Sequence, residues 1–319
     1  MGINDLETFK GLINKFDLND KSQLKVSSMH RFFEEAIGFT SSLINKKLDF
    51  NFEEKLQIDF PDYKYQEYQT IYILTDLIQR KDNVEIIHKL YLSTSINNSK
   101  DLSISLQKSI VQNINLENIS INEPVISSDI FSAFKGLVKK EDCDQMAHMN
   151  VQYYFGKHSD AIKILFNKIS SKTFNKLSYR IVNERCIFSK EVNLGCALEF
   201  VFYIKKIGRD RLVLLSKVFC IDNFNVSAYF ETDISFMVDE KVKTIIYEIF
   251  SMKSFTYLNE LQFNDLRALS DERPSNEQSK NAFLSCKKAV NTWDLDYDSM
   301  GSNQFKIGCV SDAATHLFT

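Results

Sequence analysis

Asp142, Asp144, His148 and Asn150 lie close together in one short polar stretch, and they are the residues of this chain best suited to chemistry. Directly after them Val151, Tyr154, Phe155, His158, Ile162, Leu165, Phe166 and Ile169 recur at three- and four-residue steps, which predicts a helix with one apolar face. Asn150 is placed to cap that helix, because its side-chain oxygen can accept a backbone N–H that the first turn leaves unpaired. A carboxylate held at the start of a helix can act as a base or nucleophile. The N–H groups and dipole at that end stabilise negative charge that develops beside it.

Those residues must be positioned by what surrounds them, and the local order of types is distinctive. The run Asp144-Gln145-Met146-Ala147-His148-Met149-Asn150-Val151-Gln152-Tyr153-Tyr154 resembles the "D, two residues, GHMN, then aromatic helix" signature of hotdog-fold acyl-CoA thioesterases, the group that includes 4-hydroxybenzoyl-CoA thioesterase. Ala147 stands where that signature has glycine. The resemblance implies hydrolysis of a thioester to a carboxylic acid and a free thiol, with Asp144 as base or nucleophile. It also implies an oxyanion hole from the backbone N–H groups of Ala147, His148 and Met149, with His148 and Asn150 shaping the site and Tyr153 and Tyr154 as pocket wall. The implied substrate is an acyl-CoA or an acyl-carrier thioester, and neither a cofactor nor a metal is required. Coenzyme A carries phosphates, and Lys205, Lys206 and Arg209, with Arg211, cluster at a predicted hairpin where they can form a basic rim.

A self-comparison of the chain extends this reading. Phe9-Lys10-Gly11-Leu12-Ile13 matches Phe134-Lys135-Gly136-Leu137-Val138, and the same shift places Asp17 on Asp142, Asn19 on Asp144 and Ala36 on Ala161. The segment Val26 to Ile44 is then a first copy of the central helix. Strands are predicted at Lys55–Phe60, Gln69–Gln79, Val84–Ser93 and Leu102–Gln112, and again at Tyr179–Phe188, Ala197–Ile207, Arg211–Asp222 and Ser227–Val238. The expected class is α+β: tandem hotdog units, each a long central helix wrapped by an antiparallel sheet, paired as an internal pseudo-dimer.

The boundaries follow as a first unit over 1–112, a linker over 113–128, a second unit with the intact motif over 129–255, and a linker over 256–283. At 284–319 Trp293-Asp294-Leu295-Asp296 repeats the opening again, as the start of a third, incomplete unit. Asn19 cannot serve as a carboxylate base, so the first copy is expected to complete a pocket rather than to catalyse.

Composition narrows the function classes. Of the 319 residues 44% are hydrophobic and 13% aromatic, enough for substantial cores, and a net charge of −3 with dispersed Lys and Arg gives no nucleic-acid footprint. No apolar run approaches the roughly 20 residues of a membrane span, and MGINDLETFK lacks the features of a signal peptide, so a cytoplasmic protein is expected. Cys143, Cys186, Cys196, Cys220, Cys286 and Cys309 form no C-x-x-C pair and read as reduced thiols. Serine-hydrolase, Walker and dinucleotide fingerprints are missing from the sequence.

Two other readings compete. One is a non-catalytic hotdog module that binds acyl thioesters or serves in assembly, and the other is a hotdog hydratase, for which His30 of the first copy offers no obvious partner.

Overall fold

The computed structural model describes residues 2–45, 55–58, 64–93 except 82, 101–112, 130–173, 177–223 and 225–250, with Leu116 and Ile121. The proposed third copy at 284–319 and the linker at 256–283 lie outside the described residues. The first half consists of β1 (Gly2–Leu12), α1 (Val26–Leu43), β2 (Lys55–Ile58), β3 (Thr70–Arg80), β4 (Asn83–Leu92) and β5 (Leu102–Gln112). The second consists of β6 (Phe131–Leu137), α2 (Val151–Thr173), β7 (Arg180–Phe188), β8 (Ala197–Ile207), β9 (Arg211–Cys220), β10 (Asn225–Ser235) and α3 (Glu240–Ile249). A short 3-10 turn, Lys15–Asp17 or Lys140–Asp142, joins the first strand to the long helix in each half.

All ten strands belong to one sheet in the order β2-β5-β4-β3-β1-β6-β8-β9-β10-β7, so the halves meet where β1 pairs antiparallel with β6. Residue pattern dictates which face is covered. Along β4 buried and half-buried residues alternate strictly, as in a strand that packs on the core through one face. Helix α1 buries Met29, Phe32, Phe33 and Ala36 with Phe9, Ile71, Ile73 and Leu90 of its own half. Its last turns cross over, and Phe39 and Leu43 pack with Ala197 and Ile221 of the second half. Gly38 permits that crossing, because a Cβ there would stand 2.4 Å from Leu137 Cδ1. Among the described residues no helix is long and apolar enough to cross a membrane.

The predicted strands and the two long helices recur within a few residues of their expected ends. Two expectations are corrected. Helix α3 follows β10 where the last strand was extended to Val238; Asp239 caps it by accepting the Val242 N–H at 2.7 Å, and Val242, Ile245 and Ile246 form its buried face. Cys196 and Cys220 are joined in a disulfide rather than standing as reduced thiols, because Cys196 immediately precedes β8 and Cys220 ends its antiparallel neighbour β9, with Cα atoms 6.3 Å apart.

The core of the first half holds an incompletely bonded histidine. His88 on β4 is fully buried, with Nδ1 2.7 Å from Thr75 Oγ1, which in turn lies 2.6 Å from Thr8 Oγ1, while Nε2 has no partner among the described residues. Burial pushes the imidazole pKa down from 6.5 to about 3. Between those values the unfolded chain holds one proton more at this site than the folded chain. Stability contributed by His88 is therefore intact above the unfolded pKa and is lost as pH falls, by up to about 1.4 kcal/mol per pH unit. Urea unfolding across this range should show a shallower pH dependence for His88→Asn than for the wild type. Identical slopes would remove His88 from the account.

Candidate active site

Each half builds the same loop between its 3-10 turn and its long helix. Asp17 accepts the N–H of Asn14 at 2.9 Å and is paired with Arg31 at 2.5 Å; Asp142 accepts the N–H of Lys139 at 2.9 Å and is paired with Lys157 at 2.9 Å. Both carboxylates are buried, and each leans on a cation from the helix that follows. Asp17 O accepts the Lys25 N–H and Asp142 O the Asn150 N–H, both at 2.9 Å, which returns the chain to the helix start.

Asp144 sits on the exposed outer bend of the second loop. Its Oδ1 accepts the N–H of Met146 at 2.8 Å and of His148 at 3.0 Å. Asn19 does the same work in the first loop, its Oδ1 accepting the N–H of Lys21 and of Gln23, both at 2.9 Å. Holding the loop thus needs only one acceptor oxygen, which amide and carboxylate both supply. The difference lies in the second atom: Asn19 Nδ2 donates to Gln23 Oε1, whereas no hydrogen bond or ion pair engages Asp144 Oδ2 among the described residues.

The left-handed backbone at the loop tip is shared as well, with φ of 60° at Ser22 and 63° at Ala147. That conformation is where a glycine would sit without steric cost, and it accounts for the glycine of the signature at the place of Ala147.

The expected oxyanion hole is corrected by this geometry. Ala147 N–H donates to Asp144 O at 3.1 Å, His148 N–H to Asp144 Oδ1, and Met149 N–H to Val192 O at 2.8 Å, so all three amides are already bonded within the fold. Asn150 caps α2 as predicted, its Oδ1 accepting the Gln152 N–H at 3.3 Å. Val151, the first helical residue, has an N–H with no acceptor among the described residues and is 40% exposed.

The other predicted site residues scatter in role. His148 is half-buried, with Nδ1 3.7 Å from Glu191 Oε2. Tyr153 packs at the margin of the second core, and Tyr154 is buried edge-on against Phe188. Burial pushes the Tyr154 hydroxyl up to about 12, so it stays protonated. Burial, then the charges of Asp142 and Asp144, also raise the Cys143 thiol pKa, which disfavours a thiolate there.

Lys205, Lys206 and Arg209 are not brought to the loop. Leu194 N–H bonds Ala147 O, so the start of β8 adjoins the loop, whereas Lys205 lies eight residues further on, roughly 26 Å at strand spacing. Lys205 is moreover ion-paired with Glu231, beside the Arg185–Glu231 and Arg211–Asp233 pairs. Asn183, Arg185, Lys205, Lys206, Val213, Glu231 and Asp233 line a groove whose charges largely cancel.

One polar cluster escaped sequence reasoning. His158 on α2 is fully buried, with Nδ1 2.6 Å from Glu184 Oε1 on β7 and Nε2 2.8 Å from Ser216 Oγ on β9, and its ring stacks on Phe230 at 4.1 Å. The carboxylate can only accept, which places a proton on Nδ1. Glu184 lies 26 residues from His158, so only the three-dimensional meeting of helix and strand reveals the pair. These bonds tie α2 to the sheet through β7 and β9.

No family model matches the sequence, and no curated protein matches it. Solved structures do. An acyl-CoA hydrolase from Agrobacterium tumefaciens superposes with a TM-score of 0.54 at 11% identity, over 75% of this chain and 97% of that one. A Staphylococcus aureus protein solved in complex with CoA aligns with 43% of this chain and 94% of its own, at a TM-score of 0.36 and 15% identity. A 1,4-dihydroxy-2-naphthoyl-CoA thioesterase from Synechocystis aligns with 37% of this chain and 95% of its own, at a TM-score of 0.32 and 12% identity. The fold of this chain is the hotdog fold.

The loop geometry makes two substitutions informative. Ala147→Gly should relieve the left-handed strain and change stability by about +1 kcal/mol or slightly less, because glycine also gains freedom in the unfolded chain. Asp144→Asn should leave the unfolding midpoint within about 0.5 kcal/mol of wild type, since Asn19 shows that an amide holds this loop. A large loss of stability in Asp144→Asn, read by chemical denaturation, would mean that the second oxygen is structural.

Proposed function

We propose that the chain hydrolyses acyl thioesters, with Asp144 as the base or nucleophile. The observation that carries this reading is the unbonded Oδ2 of Asp144, held on a loop whose structural needs are met by Oδ1 alone. Acting as a base, Oδ2 takes a proton from a water whose oxygen attacks the thioester carbonyl; the tetrahedral oxyanion collapses with cleavage of the C–S bond, and the departing thiolate takes up a proton. The free N–H of Val151 at the head of α2 is the donor left to meet that oxyanion, in place of the three bonded loop amides. Asn150 fixes the helix start, His148 and Tyr154 shape the surroundings, and no metal or cofactor enters the reaction.

In this reading the chain is a tandem of hotdog units, 1–112 and 129–255, set side by side as an internal pseudo-dimer. Reciprocal bonds across the seam support it. Lys10 Nζ of the first half donates to Ser132 O at 3.0 Å, and Lys135 Nζ of the second donates to Glu7 O at 3.1 Å, residues related by the same shift as the two loops. The hydrolase from Agrobacterium tumefaciens supports a thioester as substrate, and the Staphylococcus aureus complex with CoA is in keeping with an acyl-CoA.

A second reading, a module that binds acyl thioesters without turning them over, is favoured by the three occupied loop amides. A panel of acyl-CoA substrates with free thiol as the readout separates the two. Turnover should be present in the wild type and fall about 10²- to 10⁴-fold in Asp144→Asn, at unchanged melting temperature. Turnover that survives Asp144→Asn would discard the site, and saturable binding without turnover in the wild type would establish the module.

A further inference from the structure

Beside the junction of the two halves, just past the Leu194–Ala147 bond that ties the start of β8 to the loop of Asp144, two sulfurs and a carboxylate come together. The ligand atoms of Cys196, Cys220 and Asp222 all lie within 4.8 Å of one another, and Cys220 Sγ is 3.8 Å from Asp222 Oδ2. Both cysteines are buried, at 7% and 6% exposure. Asp222 is oriented by its neighbours: Ala197 N–H donates to Oδ2 at 2.9 Å, and Ser42 Oγ, at the end of α1, donates to Oδ1 at 2.7 Å. Among the described residues no cation is paired with this carboxylate. Once the disulfide is reduced, two buried thiols and the exposed carboxylate of Asp222 therefore stand together, with no cation paired to that carboxylate among the described residues.

We propose that the reduced protein binds one divalent ion of the zinc class through Cys196 Sγ, Cys220 Sγ and an Asp222 oxygen, and that the disulfide is the oxidised, metal-free state of the same pair. The donor set selects the metal: two thiolates favour a borderline-soft ion over calcium or magnesium, and three protein ligands leave a fourth tetrahedral position for water. Ligands about 2.0–2.3 Å from such an ion stand roughly 3.5–3.8 Å apart around a tetrahedron, the separation already present between Cys220 Sγ and Asp222 Oδ2.

The chemistry balances. A small dithiol passes two electrons and two protons to the disulfide, giving two protein thiols and its own disulfide; metal binding then releases the two thiol protons to solvent. The site also has mechanical reach. Cys196 O accepts the Val138 N–H at 3.0 Å, Gly195 N–H donates back to Val138 O at 2.9 Å, and Asp222 holds Ser42 of the opposite half.

Cobalt(II) reports such a site through its thiolate-to-metal charge-transfer and tetrahedral ligand-field bands. The full chain with Cys143, Cys186, Cys286 and Cys309 replaced by serine, reduced with a phosphine, should bind one Co²⁺ per chain, displaced by Zn²⁺. The oxidised protein should bind none. Adding Cys220→Ser should halve the charge-transfer band, and Asp222→Asn should weaken affinity about 10- to 100-fold. Should the serine-substituted chain fail to fold, the same titration on reduced wild type against Cys220→Ser carries the comparison, with one ion per chain fewer expected in the variant. Absence of the band in reduced protein, a band indifferent to Cys220→Ser, or equal binding by the oxidised form would each overturn the proposal.

Discussion

The structure depends on a seam that has little backbone to hold it. β1 and β6 share one paired register position, Lys10 with Lys135, and side chains supply the rest. Each lysine reaches across to a carbonyl of the other half, while Glu7 lies 3.2 Å from Lys10 and 3.6 Å from Lys135, and Glu199, 1% exposed, lies 3.6 Å from Lys135. Burial alone would raise the Glu7 pKa, yet the two lysines outweigh it and hold the carboxyl below its ordinary range. Two positive and two negative charges thus neutralise one another where water is scarce, and removing any one would leave an uncompensated charge at a cost of about 3–5 kcal/mol. Crossings of the same seam by α1 at Gly38 and by the Lys139–Glu35 pair, 2.6 Å apart, fix the halves against each other.

Because the halves are built alike, each serves as a control for the other. What they share is structural: the buried Asp17 and Asp142 in the 3-10 turns, the left-handed Ser22 and Ala147, and the side-chain oxygen of Asn19 or Asp144 closing the loop. Where they differ, chemistry has room. At the position whose side-chain oxygen closes the loop, only the second half has a carboxylate, and with it a second acceptor oxygen. A single copy would not permit this separation, since a carboxylate that accepts two backbone N–H groups looks wholly structural until its amide counterpart is seen doing the same.

Much of this was legible in the sequence, for physical reasons that can be named. The alternation in β4 and the three- and four-residue steps in α1 and α2 reflect burial on one face, which local pattern records directly. Asn150 as a cap follows from its residue type and its place before the apolar steps, whereas the left-handed tip at Ala147 shows only in the structure. Long-range pairings were not legible. Glu184 and Ser216 lie 26 and 58 residues from His158, and Cys196 and Cys220 are separated by 24, so nothing local marks them as partners. The loop amides were misassigned for a related reason: a helix start exposes N–H groups in isolation, but Val192, on a segment far along the chain, had already claimed that of Met149.

The two buried histidines show how differently the halves carry a similar burden. The shift that relates the loops sets Phe33 of α1 against His158 of α2, and the sheet registers set His88, opposite Thr75, against Ser216, opposite Phe202. Each half therefore places one imidazole between helix and sheet, but from opposite sides. In the second half the helix supplies it, and both ring nitrogens are bonded, one to the edge strand β7 and one to β9. In the first half the sheet supplies it, the facing helix offers only the Phe33 ring at 6.4 Å, and Nε2 is left without a partner among the described residues. A buried polar atom without a partner costs on the order of 1–3 kcal/mol, so the better-satisfied imidazole belongs to the half that carries Asp144. His158 lies roughly 12 Å along α2 from Asn150. Its bonds to two strands anchor the helix that follows the loop of Asp144.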